Sequence, residues 1–189
     1  MIPGYRIEGH AIVSADDRIA DPEGNTPPEL SNEADWLRFQ RALDAAAVVV
    51  VGRLSHHANP NTRRRNRLVV SSSATGCERR ADAWWWNPAG TPLAEALRLA
   101  APGGGIVAVP GGRLIFDLFR TIGFDAFHLA RCGDVRIPGG VPLFSAIDVG
   151  VPADAVLAAD GLVAGTPEVL DPIANVTLVV WQRERSTKP

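Results

Sequence analysis

Residues 107–120 read Val-Ala-Val-Pro-Gly-Gly-Arg-Leu-Ile-Phe-Asp-Leu-Phe-Arg, which confines the chain to a strand, a tight turn and a helix in succession. The short apolar run suits a buried strand, and Pro110-Gly111-Gly112 breaks it. Beyond the turn, Leu114, Ile115, Leu118 and Phe119 recur at helical spacing and are expected to share one face. A junction of this kind leaves backbone N–H groups unpaired at the helix start, where they can hold an anion such as a phosphate. Glycine there lets a ligand approach where a β-carbon would intrude, and it permits turn angles closed to other residues. The turn also has a plain structural reading, because Gly-Gly turns join strands to helices without any ligand.

Length and composition set the frame for this junction. A chain of 189 residues is expected to form one domain, 1–189, with a sizeable apolar core. Its apolar and charged fractions are those of a soluble globular protein, and a net charge of -2 gives no bulk attraction to nucleic acid or anionic membrane. Apolar runs such as Ala45–Val51 are too short to span a bilayer. The opening Met-Ile-Pro-Gly-Tyr-Arg lacks the pattern of a secretory signal, so a cytoplasmic protein is expected. Cys77 and Cys132 are expected to be reduced, partly buried thiols, with a disulfide between them as the alternative. Neither they nor His10, His56, His57 and His128 have metal-ligand spacing, so no metal is expected.

Along the chain, Ile7–Val13 reads as a first strand, followed by a turn and short extended piece at Asp16–Ala20. Asp21–Leu30 carries three prolines, a glycine and an asparagine and reads as an irregular loop, with the length of a lid. Ser31 or Asn32 is the expected N-cap of a helix whose Trp36, Leu37, Phe39 and Leu43 bury one face. Ala47–Val51 is the most strand-like run, apolar throughout as a central strand covered on both faces must be. Gly52–His57 repeats the strand-to-glycine-turn logic, and Asn59–Arg67 is a polar, basic loop into a strand at Leu68–Ser72. Ala81–Trp86 is a short strand that places at least one of its three indoles in the core and another at a surface or dimer contact. Pro92–Ala100 is a helix with Thr91 as N-cap, then come strands at Ile106–Val109 and Ala126–Arg131, a Gly/Pro-rich stretch at Gly133–Leu143 and a last strand at Val176–Gln182. Alternating strands and helices predict a mainly parallel α/β sheet with the late strand at or near an edge.

This order of motifs, from Ile7 to about Arg183, resembles the dihydrofolate reductase-like superfamily, and its riboflavin-biosynthesis reductase branch more than dihydrofolate reductase itself. Asp17-Arg18-Ile19-Ala20 is similar to the piece that opens the family's active-site loop, and Val48–Ser55 to its apolar strand followed by Gly-Arg-x-Thr. Arg67–Ser73 resembles the strand ending in serines, Val109–Arg113 the Gly-Gly-Gly turn, Gly133–Pro138 the Gly-Asp-x-x-x-Pro loop, and Thr177–Arg183 the last strand. The resemblance implies a three-layer α/β fold with a mostly parallel central sheet and an antiparallel C-terminal strand. It also implies NADPH as cofactor and a small pyrimidine or pterin substrate; a homodimer is expected besides.

Carried over by position, the resemblance implies that Gly52, Arg53 and Ser55 start a helix under the cofactor's phosphates, with Arg53 on the 2′-phosphate. Ser71 and Ser72, with Ser73, would lie near the adenosine, and Gly111, Gly112 and Arg113 would cradle the pyrophosphate. Asp35, four residues before Phe39, is the candidate catalytic acid; a carboxylate there can accept paired hydrogen bonds from an aminopyrimidine ring or relay a proton. Each residue keeps a structural reading beside this one: surface arginine for Arg53, helix cap for Ser55, solvated strand end for the serines, dipole-facing acid for Asp35. Asp44 reads as structural, and Arg63, Arg64, Arg65 and Arg67 as either partners of a substrate phosphate or a solvated loop.

Three departures weigh against a folate substrate. The 21–30 loop lacks tryptophan, Pro110 replaces a glycine, and Ala130 stands where the folate enzymes place a threonine. The leading expectation is an NADPH-dependent reductase acting on a 5-amino-6-(5-phosphoribosylamino)uracil-type substrate. The alternatives are a dihydrofolate or pterin reductase and, in another class, a non-catalytic nucleotide-binding homodimer.

Overall fold

A computed structural model describes residues 2–184. The valine run forms β3 (Val48–Gly52), whose four valines are buried, as an all-apolar strand demands. It pairs in parallel with β7 (Gly105–Val109) on one side and β4 (Arg67–Val70) on the other. β7 continues the sheet to β1 (Tyr5–Ser14), and β1 to β8 (Ala126–Cys132), both in parallel. On the far side of β4 lie β6 (Trp84–Trp86), parallel, and β5 (Cys77–Arg79), antiparallel. β12 (Val176–Arg183) runs antiparallel to β8 and carries β10 (Leu162–Ala164) and β11 (Glu168–Asp171) on its outer flank. A separate two-stranded ribbon joins β2 (Arg18–Ala20) to β9 (Val141–Pro142).

Helices cover both faces of the sheet. α1 (Glu33–Ala45) packs Phe39 and Leu43 onto Val49, Val51 and Val69, and α2 (Arg53–Ala58) lies on that same face, with His56 edge-on to Trp85. The opposite face takes α3 (Leu93–Ala100), α4 (Arg113–Ile122) and α5 (Ala153–Ala159), with Leu97, Phe116, Phe119 and Leu157 packed in one core with Val48 and Val50. The six parallel strands therefore send their carboxyl ends to one edge. That edge carries the Asp16 turn, Gly52, Ser71, Gly111-Gly112 and Gly133 together, and α1 starts there. In open α/β sheets this is the edge at which ligands bind.

Several expectations are corrected. Leu114 is exposed, and the buried face of α4 is made by Phe116 and Phe119. Trp36 and Leu37 are exposed rather than buried, so α1 seals its face with Leu43, Gln40 and part of Phe39. Pro92, not Thr91, is the N-cap of α3, and Thr91 instead lies buried with its carbonyl accepting from Trp86 Nε1 at 2.7 Å. The late strand β12 does lie near the edge, as expected, with only β10 and β11 paired outside it. Strand β4 stops at Val70, so Ser71 and Ser72 lie in the turn that follows. The two cysteines are free thiols. Among the described residues no helix is long and apolar enough to cross a membrane.

Candidate functional site

Two glycine turns meet at the carboxyl edge of the neighbouring strands β3 and β7. Gly52 is the N-cap of α2 and Gly112 the N-cap of α4, and neither helix has a side-chain cap. Their first-turn N–H groups are thus left to solvent or to an anion. A β-carbon on Gly52 would stand 3.3 Å from Ile115 Cγ1, so the first turn of α4 lies directly against Gly52. Gly111 is buried at φ +104°, and a β-carbon on it would overlap the ring of Phe116. The peptide joining Gly111 to Gly112 is cis. Gly112 is exposed, and a β-carbon on it would meet nothing within 4 Å. One glycine of the pair serves packing and the other faces open space.

The side chains expected around these turns divide into free and engaged groups. Arg53 is exposed and has no ion pair or side-chain hydrogen bond among the described residues. Ser55 is exposed beside it. Ser72 is exposed as well, whereas the Ser71 hydroxyl is buried, accepts from the Ser73 N–H at 3.1 Å and lies 2.9 Å from the Ser73 hydroxyl. Ser71 therefore shapes the turn and Ser72 presents a hydroxyl outward. The Arg113 side chain is drawn to Asp148, 3.7 Å away, which Arg18 holds at 2.7 Å. What Arg113 offers the turn is its main-chain N–H at the helix start.

Asp35 stands in the first turn of α1, at the same edge of the sheet. Asn32 caps the helix by accepting from the Asp35 N–H at 3.1 Å, and is itself tied to Asp171 of β11 at 2.9 Å. The Asp35 carboxyl makes no ion pair or side-chain hydrogen bond among the described residues. Burial raises its pKa to about 6, against the pull of Arg38. A carboxyl with a pKa of about 6 is mostly ionised at neutral pH but takes up a proton within about one pH unit of it, which suits proton delivery or hydrogen bonding to a ring.

Beneath α1 lies a polar cluster that the spacing of residues in the chain could not disclose. His10 and His128 are direct register partners in the parallel pair β1–β8, and their rings stack at 4.5 Å with 7° between planes. Glu8 Oε2 lies 3.3 Å from His128 Nε2 and 3.9 Å from His10 Nε2. Burial works to raise the Glu8 pKa, but hydrogen bonds from His128 and Arg6 outweigh it and bring it to about 2. Burial and the neighbouring His128 push His10 down to about 3, with Glu8 opposing. Glu8, His10 and His128 gather three potential metal donors, yet parallel imidazoles aim their lone pairs in parallel rather than at one point. Arg38 Nη2, 2.9 Å from His128 Nδ1, also requires that nitrogen to accept, which places the ring's proton on Nε2. The cluster is a stacked pair of imidazoles set between Arg38 and Glu8, in which His10 Nε2 has no hydrogen-bond partner among the described residues, not a converging ligand set.

The basic loop sits elsewhere. Arg63 and Arg65 both bind Asp44, at 2.7 and 2.8 Å, and Arg65 also reaches Gln40. Asp44 is at the far end of α1, about 13 Å along the helix from Asp35 at 1.5 Å per residue. Arg67 donates to the Asn59 carbonyl at 2.7 Å and contacts His56 Nδ1 at 3.3 Å. Of the two readings of this loop, substrate-phosphate partner or solvated loop, neither describes Arg63, Arg65 and Arg67, which are tied to the protein itself: the loop clamps α1 to the entrance of β4, and Asp44 is structural.

No family model and no curated protein sequence matches the chain. Solved structures do. A protein assigned to riboflavin biosynthesis from Shewanella sp. PV-4 superposes with a TM-score of 0.65 at 18% identity, over 95% of this chain and 99% of that one. A diaminohydroxyphosphoribosylaminopyrimidine deaminase/5-amino-6-(5-phosphoribosylamino)uracil reductase from Thermotoga maritima gives 0.61 at 15% identity, over 95% of this chain and 56% of that one. Dihydrofolate reductase from Enterococcus faecalis, complexed with NADP(H), gives 0.62 at 16% identity, over 95% and 97%. The fold is dihydrofolate reductase-like.

Proposed function

We propose that this protein is an NADPH-dependent reductase acting on an aminopyrimidine of the 5-amino-6-(5-phosphoribosylamino)uracil type. The observation that carries the reading is the meeting of two uncapped, glycine-started helices at the carboxyl edge of adjacent strands, with Gly112 facing open space. The residues fit a dinucleotide: a side chain at Gly112 would occupy the approach to the N–H groups of α4. Gly111, Gly112 and Arg113 hold the pyrophosphate by main chain, with Gly52 and Ser55 opposite. Arg53 pairs with the 2′-phosphate, since its guanidinium is exposed and uncommitted. Ser72 faces the adenosine, and Ser71 holds that turn in shape.

When bound, the reduced nicotinamide supplies the hydride. Asp35 then orients the acceptor ring through its carboxyl and holds the proton that the ring nitrogen or oxygen takes up. The deaminase/reductase and riboflavin-biosynthesis neighbours support a pyrimidine acceptor. Ala130 supports it too, being fully buried with no hydroxyl to offer Asp35.

NADPH oxidation followed at 340 nm tests this. Turnover is expected with the ribosylaminopyrimidine and not with dihydrofolate; the reverse would exchange the substrate, and turnover with neither would leave the catalytic reading without support. In the same assay Arg53→Ala should raise the KM for NADPH about 10–100-fold, the worth of a lost charge-assisted pair, with a change for NADH of less than about threefold. Equal losses for the two cofactors would remove the 2′-phosphate assignment.

A further inference from the structure

The buried cluster under α1 has a consequence for Asp35. An acid and an arginine three residues apart on a helix ordinarily lie within pairing distance of one another. Asp35 and Arg38 have that spacing on α1, yet they form no ion pair, because Arg38 is turned inward to His128. His128 cannot readily give way. Its Nε2 faces Glu8 at 3.3 Å, its ring is stacked on His10, which is only 3% exposed, and Glu8 is anchored in turn by Arg6 at 2.5 Å.

We propose that His128 is a positioning residue for Asp35: by accepting from Arg38 it holds the guanidinium against the sheet and leaves the Asp35 carboxyl unpaired for substrate. The role for Asp35 rests on the proposed reductase reading; the holding of Arg38 does not. The charged and titratable groups around Asp35 are Arg38 on its own helix, Cys132 on β8, whose thiol burial and Asp35 together push up, and Asp171 on β11, held by the N-cap Asn32. Around His128 they are Arg38 on α1 and Glu8 and His10 on β1; its register partner on β12 is Val180, which carries no charge. Freed from His128, Arg38 is the one of these groups able to neutralise Asp35. Capture by it would turn a proton-holding carboxyl into a permanently ionised one.

The test is the titration of the Asp35 carboxyl, followed by carbon-13 NMR in the protein without cofactor. In His128→Phe, which keeps a ring on His10 but removes the acceptor, the Asp35 midpoint should fall by about one to three pH units as Arg38 pairs with it. His128→Phe combined with Arg38→Gln should restore the wild-type midpoint. An unchanged midpoint in His128→Phe, or a drop that persists in the double variant, would overturn the proposal. Arg38→Gln alone gives a second check should His128→Phe fail to fold. If the guanidinium is already held away, its removal should raise the Asp35 midpoint by less than about half a pH unit, and a rise above about one unit would show that the pair forms in solution. These readouts do not involve turnover. The expected titrations in a protein that reduces nothing would therefore overturn the reductase reading alone.

Discussion

Asp35→Asn is expected to leave the protein more stable at pH 7–8 than the wild type while lowering kcat about 10²–10⁴-fold, the usual range for losing a general acid. The stability half follows from linkage. The Asp35 pKa is about 6 in the folded protein, against 3.8 for an unperturbed carboxyl. Between these values the folded state keeps a proton that the unfolded chain releases. The contribution of Asp35 is thus greatest below pH 3.8, declines as pH rises through about 6, and stays lost above it. Asparagine removes that decline. With the partial exposure of the group discounted, the gain at pH 8 is about 1–2 kcal/mol, or a rise in Tm of about 2–8 °C for a chain of this length. A purely structural aspartate at a helix start would give the opposite result, because its removal costs dipole and capping energy. Thermal melts at pH 4 and pH 8, run beside the kinetic assay, separate the two. Loss of stability at pH 8, or retained kcat, would contradict the role assigned to Asp35.

The second large effect is a contrast within one dipeptide. Gly111→Ala should cost about 2–5 kcal/mol of stability, from a residue held at positive φ and from a methyl group driven into Phe116. Phe116 is fully buried and in contact with Phe127 and Phe144, so the ring has no free space to move into. Gly112→Ala should change stability by less than about 0.5 kcal/mol, since its methyl meets nothing and its φ of −51° is open to any residue. It should nevertheless weaken NADPH about tenfold or more, by standing where the phosphates approach the N–H groups of α4. Chemical denaturation and cofactor titration on the two variants give the four values needed. Gly112→Ala binding NADPH as tightly as the wild type would remove the pyrophosphate from this turn.

Much of the fold was legible because its strands are short apolar runs. Val48–Val51, Ile106–Val109 and Ala126–Arg131 had to be buried, and glycine turns marked where β3 and β7 end. The segment between residue 150 and the last strand was not legible. α5 has seven residues, four of them alanine, and β10 and β11 are three and four residues long with exposed valines, so none carries a periodic signal. Trp36 and Leu37 misled in the other direction, since apolar spacing marks a face without saying what covers it. At the site, sequence order located the glycines but not the commitments of their neighbours. Arg113 looked as free as Arg53 until Asp148 proved to face it. The Glu8–His10–His128–Arg38 cluster was beyond reach, because it depends on β1 and β8 pairing in the one register that sets His10 beside His128.

Direct titration shows whether the edge holding Gly52 and Gly112 binds NADPH. Trp84–Trp86 form the strand β6, beside the strand that leads to Ser71 and Ser72, so indole fluorescence is a natural reporter. NADPH should quench it saturably, NADH should bind more weakly, and Gly112→Ala should move the NADPH curve to higher concentration. No saturable change with NADPH up to millimolar concentration, confirmed by calorimetry on the same sample, would contradict the account.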